Sequence, residues 1–179
     1  MTEPVVESTA AALRRAFDLS FASPPSAAAH EVDDLLAIHV AGNPYAIRLR
    51  EIAAMISGRR VVPVPSAANA LLGVAGIRGG VVPVFSLASI LGYGQVSGAP
   101  RWMVLCGTED PIALAFSEFD GYVRLPRSSL HVDEALRATR EYASEVASTD
   151  AGARAVIDIP LVVATIRKRS GHHRPAREQ

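Results

Sequence analysis

From residue 35 the chain alternates. Leu36, Ile38 and Val40 run out of phase with Leu35, Ala37 and His39; Gly42-Asn43-Pro44 interrupts; Tyr45, Ile47 and Leu49 then resume against Ala46 and Arg48. Two period-two runs around a turn-forming cluster predict a β-hairpin. Short apolar runs follow at Ala53 to Ser57, Val61 to Val64, Val74 to Ile77 and Val81 to Phe85, parted by Gly58-Arg59-Arg60, Ser66 to Leu72 and Arg78-Gly79-Gly80. A second cycle begins at Trp102 to Cys106 and turns at Gly107 to Pro111. It continues through Ile112 to Phe116, Tyr122 to Leu125, Tyr142 to Ser148 and Arg154 to Ile157. Between them, Ser66 to Leu72 predicts a short helix with Ser66 as N-cap and Gly73 just past its end. Ser86 caps Leu87 to Leu91 ahead of Gly92, and Ile159 to Arg169 reads as a closing helix. Val132 to Thr139 is a helical turn or a mobile loop. About ten strands in two sets, without long intervening helices, predict an all-β fold of two small barrels with short connecting helices and a C-terminal helix.

The ends differ from this pattern. Residues 1–30 are Ala-rich and carry Pro24-Pro25, a tail and linker; Leu13, Phe17 and Phe21 fall at i, i+4, i+8, as in a short amphipathic helix. That helix is either a frayed segment that docks on its own domain or a binder of a partner. Residues 170–179 are polar, without apolar periodicity, and are expected to be disordered. The folded domain is thus expected over residues 31–169.

Composition removes several function classes. The 179 residues, 49% apolar, suffice for one compact domain or two small subdomains with a core that needs no disulfide. Lys+Arg 18 against Asp+Glu 18 lacks the broad basic footprint of a nucleic-acid or membrane-surface binder, and no run nears the roughly 20 apolar residues of a membrane span. A single cysteine, Cys106, and an N-terminus without a basic-then-apolar segment point to the cytoplasm. Lys168 is the sole lysine, so a Gly-Lys-Ser/Thr phosphate loop is absent and a Schiff-base lysine would have to lie in the charged run Arg167-Lys168-Arg169.

Candidate chemistry is sparse. Apart from the adjacent His172 and His173, the histidines His30, His39 and His131 do not share metal-ligand spacing, and no metal or cofactor is expected. Cys106 sits in the apolar run Val104-Leu105-Cys106 and reads as an inert buried thiol; His39 reads as a surface or satisfied strand histidine. Gly73, Gly76, Gly79 and Gly80 lack dinucleotide-fingerprint spacing, and a proline-containing strand follows them. We expect Gly76, Gly79 and Gly80 to form a tight turn holding Arg78 at a hairpin tip or subdomain junction, as a recognition residue or a solvated turn arginine.

Four blocks recur in a recognisable order: Leu49-Arg50-Glu51-Ile52, Val62-Pro63-Val64-Pro65, Gly73-Val74-Ala75-Gly76-Ile77-Arg78-Gly79 and Val81-Val82-Pro83-Val84-Phe85-Ser86-Leu87. The succession resembles the CheW-like chemotaxis coupling proteins and the matching regulatory domain of CheA-type histidine kinases. Their pattern is Val-x-Glu-Ile, Pro-x-Pro, Gly-x-x-Asn-Leu-Arg-Gly and x-x-Pro-Val-x-Asp-Leu. The resemblance runs from about Asp33 to Arg169, with a fainter late match at Val156-Ile157-Asp158-Ile159. Gly76 replaces the usual asparagine, Ser86 the usual aspartate, and Ser117 stands where an acid is usual.

The resemblance implies two five-stranded SH3-like barrels with a groove between them that receives the helical tip of a chemoreceptor, while other surfaces engage the kinase's regulatory domain. Such a protein is an adaptor, not an enzyme. On that basis the receptor-binding residues would be Arg78, Glu51, Ile52, Val81 and Val82, with Glu51 and Arg78 paired beside the groove. The alternatives are a paralogue that binds receptor but has lost or weakened kinase binding and, from another class, a small β-scaffold enzyme or nucleotide binder.

Overall fold

The structure, a computed structural model, describes residues 32–66, 68–94, 98 and 100–171. The expected N-terminal amphipathic helix, the linker and the tail from residue 172 lie outside the described residues. In chain order the strands are β1 (Val32–Val40), β2 (Asn43–Arg48), β3 (Ala54–Ser57), β4 (Leu71–Ile77), β5 (Gly80–Ser86), β6 (Trp102–Cys106), β7 (Ile112–Phe116), β8 (Glu118–Pro126), β9 (Leu130–Val132), β10 (Ala143–Thr149) and β11 (Gly152–Ile157). Three helices join them: α1 (Leu87–Ile90), α2 (Glu134–Thr139) and α3 (Ile159–Gly171).

The strands form two sheets, ordered β8-β1-β2-β11-β10-β9 and β3-β6-β7-β5-β4. The middle of the chain thus builds the whole second sheet, inserted between the two parts of the first. Each sheet curls into a small SH3-like barrel, and each contains one parallel pair, β2 with β11 and β5 with β7.

Alternation works differently here from a sheet with one wet face. β7 is buried at every position. Ala113 and Ala115 fill the second barrel together with Ala75, Ile77, Val82, Val84, Met103 and Leu105. On the opposite face Ile112, Leu114 and Phe116 join Leu36, Ile38, Val40, Tyr45, Ile47 and the α3 residues Ile159, Val162 and Ile166 in a larger core. That core takes residues from both sheets and welds the barrels together. The first barrel has a small interior of Leu35, Ala46, Ala147 and Val156. Strands covered on both faces read as continuous apolar runs, as β6 and β7 do.

Several expectations are corrected. The expected helix over Ser66 to Leu72 does not form among its described residues: the Ser66 hydroxyl accepts Ala68 N–H at 3.0 Å, Leu71 N–H reaches Ala68 O at 3.0 Å, and β4 begins at Leu71. Pairing of Leu71–Ile77 with β5 claims the backbone that a helix would have used. Val61 to Val64 makes one bridge, Val62 with Val74, because Pro63 and Pro65 bring no N–H to a ladder. The first hairpin turns at Ala41-Gly42 (φ 51° and 78°), with Val40 opposite Asn43, just before the expected Gly-Asn-Pro cluster. The first sheet gains a sixth strand at Leu130–Val132, and α2 follows it, N-capped by the Asp133 carboxylate on Leu136 N–H at 2.9 Å. The Ser86 cap forms as expected, accepting Ser89 N–H at 3.2 Å.

Candidate functional site

A single 3-10 turn, Leu49–Glu51, carries Glu51 out of β2. Its carboxylate turns inward, accepting from Arg48 Nη1 at 3.4 Å and from the backbone N–H of Ile159, at the start of α3, at 3.2 Å. Burial raises its pKa above the ordinary glutamate value, against the opposing effects of the Ile159 N–H and the Arg48 charge. Arg48 also binds Glu145, and Arg50 binds the buried Asp33. The result is an ionic plug at one end of the first barrel. Ile52 is half-buried and packs on the inter-barrel core.

Arg78 stands elsewhere. It and Gly79 form the two-residue turn between β4 and β5, with φ 50° and 80°, the pairing of positive φ values that suits a twisted hairpin. Arg78 is exposed, and no hydrogen bond or ion pair holds it among the described residues. The expected Glu51–Arg78 pair does not form, because Arg48 and the α3 N-terminus occupy the carboxylate. Gly76 lies inside β4 opposite Val81, and Gly80 opens β5 opposite Ile77, so Gly79 is the one member of the expected glycine set within the turn itself. Val81 is 76% exposed, whereas Val82 is buried inside the second barrel, contributing to no groove. The five carried-over residues therefore divide: Arg78 and Val81 face out, Glu51 and Val82 face in, and Ile52 lies between.

Where the inter-barrel core opens to solvent, the structure assembles a surface that the motifs did not mark. Trp102 on β6 and Phe119 on β8 meet edge to face at 5.3 Å between ring centroids, as do Phe119 and Tyr122. The Tyr122 hydroxyl lies 3.7 Å from Met55 Sδ on β3, joining the two sheets, while its ring remains largely exposed. Phe119 and Tyr122 are three apart and would face opposite ways in a regular strand. A bulge reconciles them: Phe119 pairs with Ile38, Gly121 with Ala37 and Tyr122 with Leu36. Both aromatics thereby share the face of Leu36 and Ile38. Further along the same face Arg124 grips Asp34 with two bonds, 2.6 and 3.0 Å, and exposed Val32 pairs with Pro126. The pair lowers the Asp34 pKa, through the Arg124 hydrogen bond first and its charge second. This surface is thus an aromatic and thioether rim with an ion pair at its side. The Asp120-Gly121 dipeptide between the two aromatics is the sequence signal that could have located it.

A concavity of about 920 Å³ lies between Pro65, Ser66 and Ala68 to Leu71 on one side and α1 and α3 on the other, with Leu71, Phe85, Ile90 and Val162 among its walls. Cys106 is buried, and burial, with the nearby Glu51 charge as a smaller cause, pushes its thiol up to about 12. Among the described residues no group of three or more His, Cys, Asp or Glu gathers to hold a metal ion, and no helix is long and apolar enough to cross a membrane.

The sequence profile of the CheW-like domain matches residues 34–167. In three dimensions the chain is similar to the scaffolding protein TtCheW from Thermoanaerobacter tengcongensis, with a TM-score of 0.61 and 14% sequence identity over 70% of this chain and 88% of that one. A comparison with curated protein sequences gives no match. The structural likeness speaks for the fold of two welded barrels, and the profile spans both barrels from β1 to α3: the chain belongs to the CheW-like domain family.

Proposed function

We propose that this protein is a non-enzymatic adaptor of a bacterial chemosensory array, working in the cytoplasm at the receptor clusters. It binds the helical cytoplasmic tip of a chemoreceptor, a methyl-accepting chemotaxis protein, at the aromatic rim between the barrels and couples it to the regulatory domain of a CheA-type histidine kinase. The observation that carries this reading is the rim of Met55, Trp102, Phe119 and Tyr122, where the apolar core reaches the surface. A surface of aromatic rings and a thioether is suited to the apolar face of an amphipathic helix, and large rings that keep a polar tip in water serve as binding anchors. Arg78, fixed on its turn, offers a cation to an acidic side chain on the partner.

Coupling requires more than contact. An adaptor shifts the kinase only if it binds the receptor's signalling states with different affinity, since equal binding leaves every population unchanged. Array assembly adds avidity, so each contact can be weak.

The test is binding of the purified chain to a receptor-tip fragment and, separately, to a kinase regulatory domain, with Tyr122→Ala and Arg78→Glu alongside. Binding of both partners, with the receptor arm lost in Tyr122→Ala, supports the coupler. Receptor binding alone would identify the decoupled paralogue, and binding of neither would sink the chemosensory role.

A further inference from the structure

We propose that Asp120 and Arg154 are positioning residues that lock the bulge in β8 and thereby set the aromatic rim. The register makes Asp120 the extra residue: Phe119 and Gly121 pair with the adjacent residues Ile38 and Ala37, and nothing on β1 pairs with Asp120. Its carboxylate is held by Arg154 Nη2 at 2.6 Å and by His39 Nδ1 at 3.0 Å. Arg154 belongs to β11, separated from β8 by β1 and β2 in the sheet, so its side chain reaches across the end of the first barrel. It is 7% exposed, and its Nη1 donates to the carbonyl of Ile38 at 3.2 Å. One guanidinium therefore grips both sides of the register shift, the β1 carbonyl opposite Phe119 and the side chain of the inserted residue.

The consequence follows from strand geometry. A one-residue slip sends side chains to the other face. Losing the bulge would therefore part Phe119 from Tyr122, and only one of them could stay on the face of Leu36 and Ile38. A buried guanidinium in turn needs its acid, because an unpaired buried charge is costly. The barrel interior and the aromatic rim are thus tied together by one ion pair.

Trp102, the single tryptophan, lies 5.3 Å from Phe119 and reports on the rim directly. The experiment compares full-length Asp120→Ala, Arg154→Met and their double variant by Trp102 emission, near-ultraviolet circular dichroism and affinity for a receptor-tip fragment. The binding arm rests on the rim being the receptor surface; the spectroscopic arm does not. Expected are a changed Trp102 emission in the free protein, an affinity loss of about tenfold in each single variant, and a double variant no weaker than the weaker single. Arg154→Lys and Asp120→Asn, which keep a partner in place and guard against misfolding, should lie between parent and full variants. Folded variants that melt earlier, yet keep the parent's emission and an affinity within about twofold, would overturn the lock. Should the parent itself not bind the fragment, the receptor reading falls and the emission alone decides.

Discussion

Glu51 accepts the backbone N–H of Ile159 at 3.2 Å, joining a turn after β2 to the first residue of α3 across 108 positions of sequence. The first N–H groups of a helix have no partner within it, and a carboxylate there answers both the missing bond and the positive end of the helix dipole. Asp158 serves the same end, accepting Leu161 N–H at 2.8 Å. Since Val162 and Ile166 of α3 close the inter-barrel core, Glu51 fastens the helix that seals the two barrels together.

Glu51→Ala should therefore act on stability, lowering it by about 1–3 kcal/mol through the stranded Ile159 N–H and the loss of one of the two carboxylates that hold Arg48 by hydrogen bond. Glu51→Gln keeps an acceptor and should cost less. Because burial raises the Glu51 pKa, the native state holds this proton more tightly than the unfolded chain. The resulting stabilisation is complete below the ordinary glutamate pKa and is lost as pH rises through the raised one. Urea unfolding should thus show the stability of the parent relative to Glu51→Gln falling as pH climbs from about 4 towards neutrality. A difference that stays flat with pH, or a Gln variant as damaged as the Ala variant, would remove Glu51 from this role.

Gly73→Ala should be among the most damaging single changes. A Cβ at Gly73 would sit 2.1 Å from the Val62 carbonyl oxygen, and the backbone φ of 143° already disfavours a side chain. The Val62–Val74 bridge leaves that carbonyl little freedom to retreat. A loss of about 3 kcal/mol or more is expected by chemical denaturation; a variant within about 1 kcal/mol of the parent would mean that the Val62 segment moves easily.

The strand pattern made the two-barrel architecture legible because period-two runs and Gly or Pro punctuation are local signals. What stayed hidden was set by pairing at a distance. Leu71 and Leu72 look helical beside Ala68, Asn69 and Ala70, yet the ladder with β5 claims Leu71–Ile77. The motif block around Arg78 placed that arginine on a turn, where the structure has it exposed, but matching charges in two blocks suggested a Glu51–Arg78 pair that Arg48 and Ile159 pre-empt. Phe119 and Tyr122 were unreadable as a pair because alternation assigns them to opposite faces, and one inserted residue overrides it. Trp102 and Met55 join them only through the closing of two sheets.

Tyr122 and Leu36 are opposite one another, and their truncations should separate binding from folding. Tyr122 is 62% exposed and Leu36 fully buried. Leu36→Ala should lose about 2–5 kcal/mol of stability. Tyr122→Ala should lose under about 1 kcal/mol while weakening receptor-tip binding by tenfold or more, as expected of a surface anchor. Thermal melts paired with titration calorimetry check both; a Tyr122→Ala variant as unstable as Leu36→Ala would make the rim part of the core and not a docking surface.

Cys106 allows a clean probe of the same core, being the single cysteine. It lies on the inter-barrel face of β6, and burial pushes its thiol up to about 12. The thiolate is the reactive form, so at pH 8 both inaccessibility and the raised pKa hold the native protein inert to a disulfide reagent. In urea the thiol returns to ordinary cysteine behaviour and should react fully. Because labelling then requires opening of the core, its rate in native buffer measures how often the barrels part. Protection should fall in Glu51→Ala, which loosens α3, and stay unchanged in Arg78→Glu, which alters an exposed turn. Rapid labelling of the folded parent would contradict the burial of Cys106 and with it the welded core between the barrels.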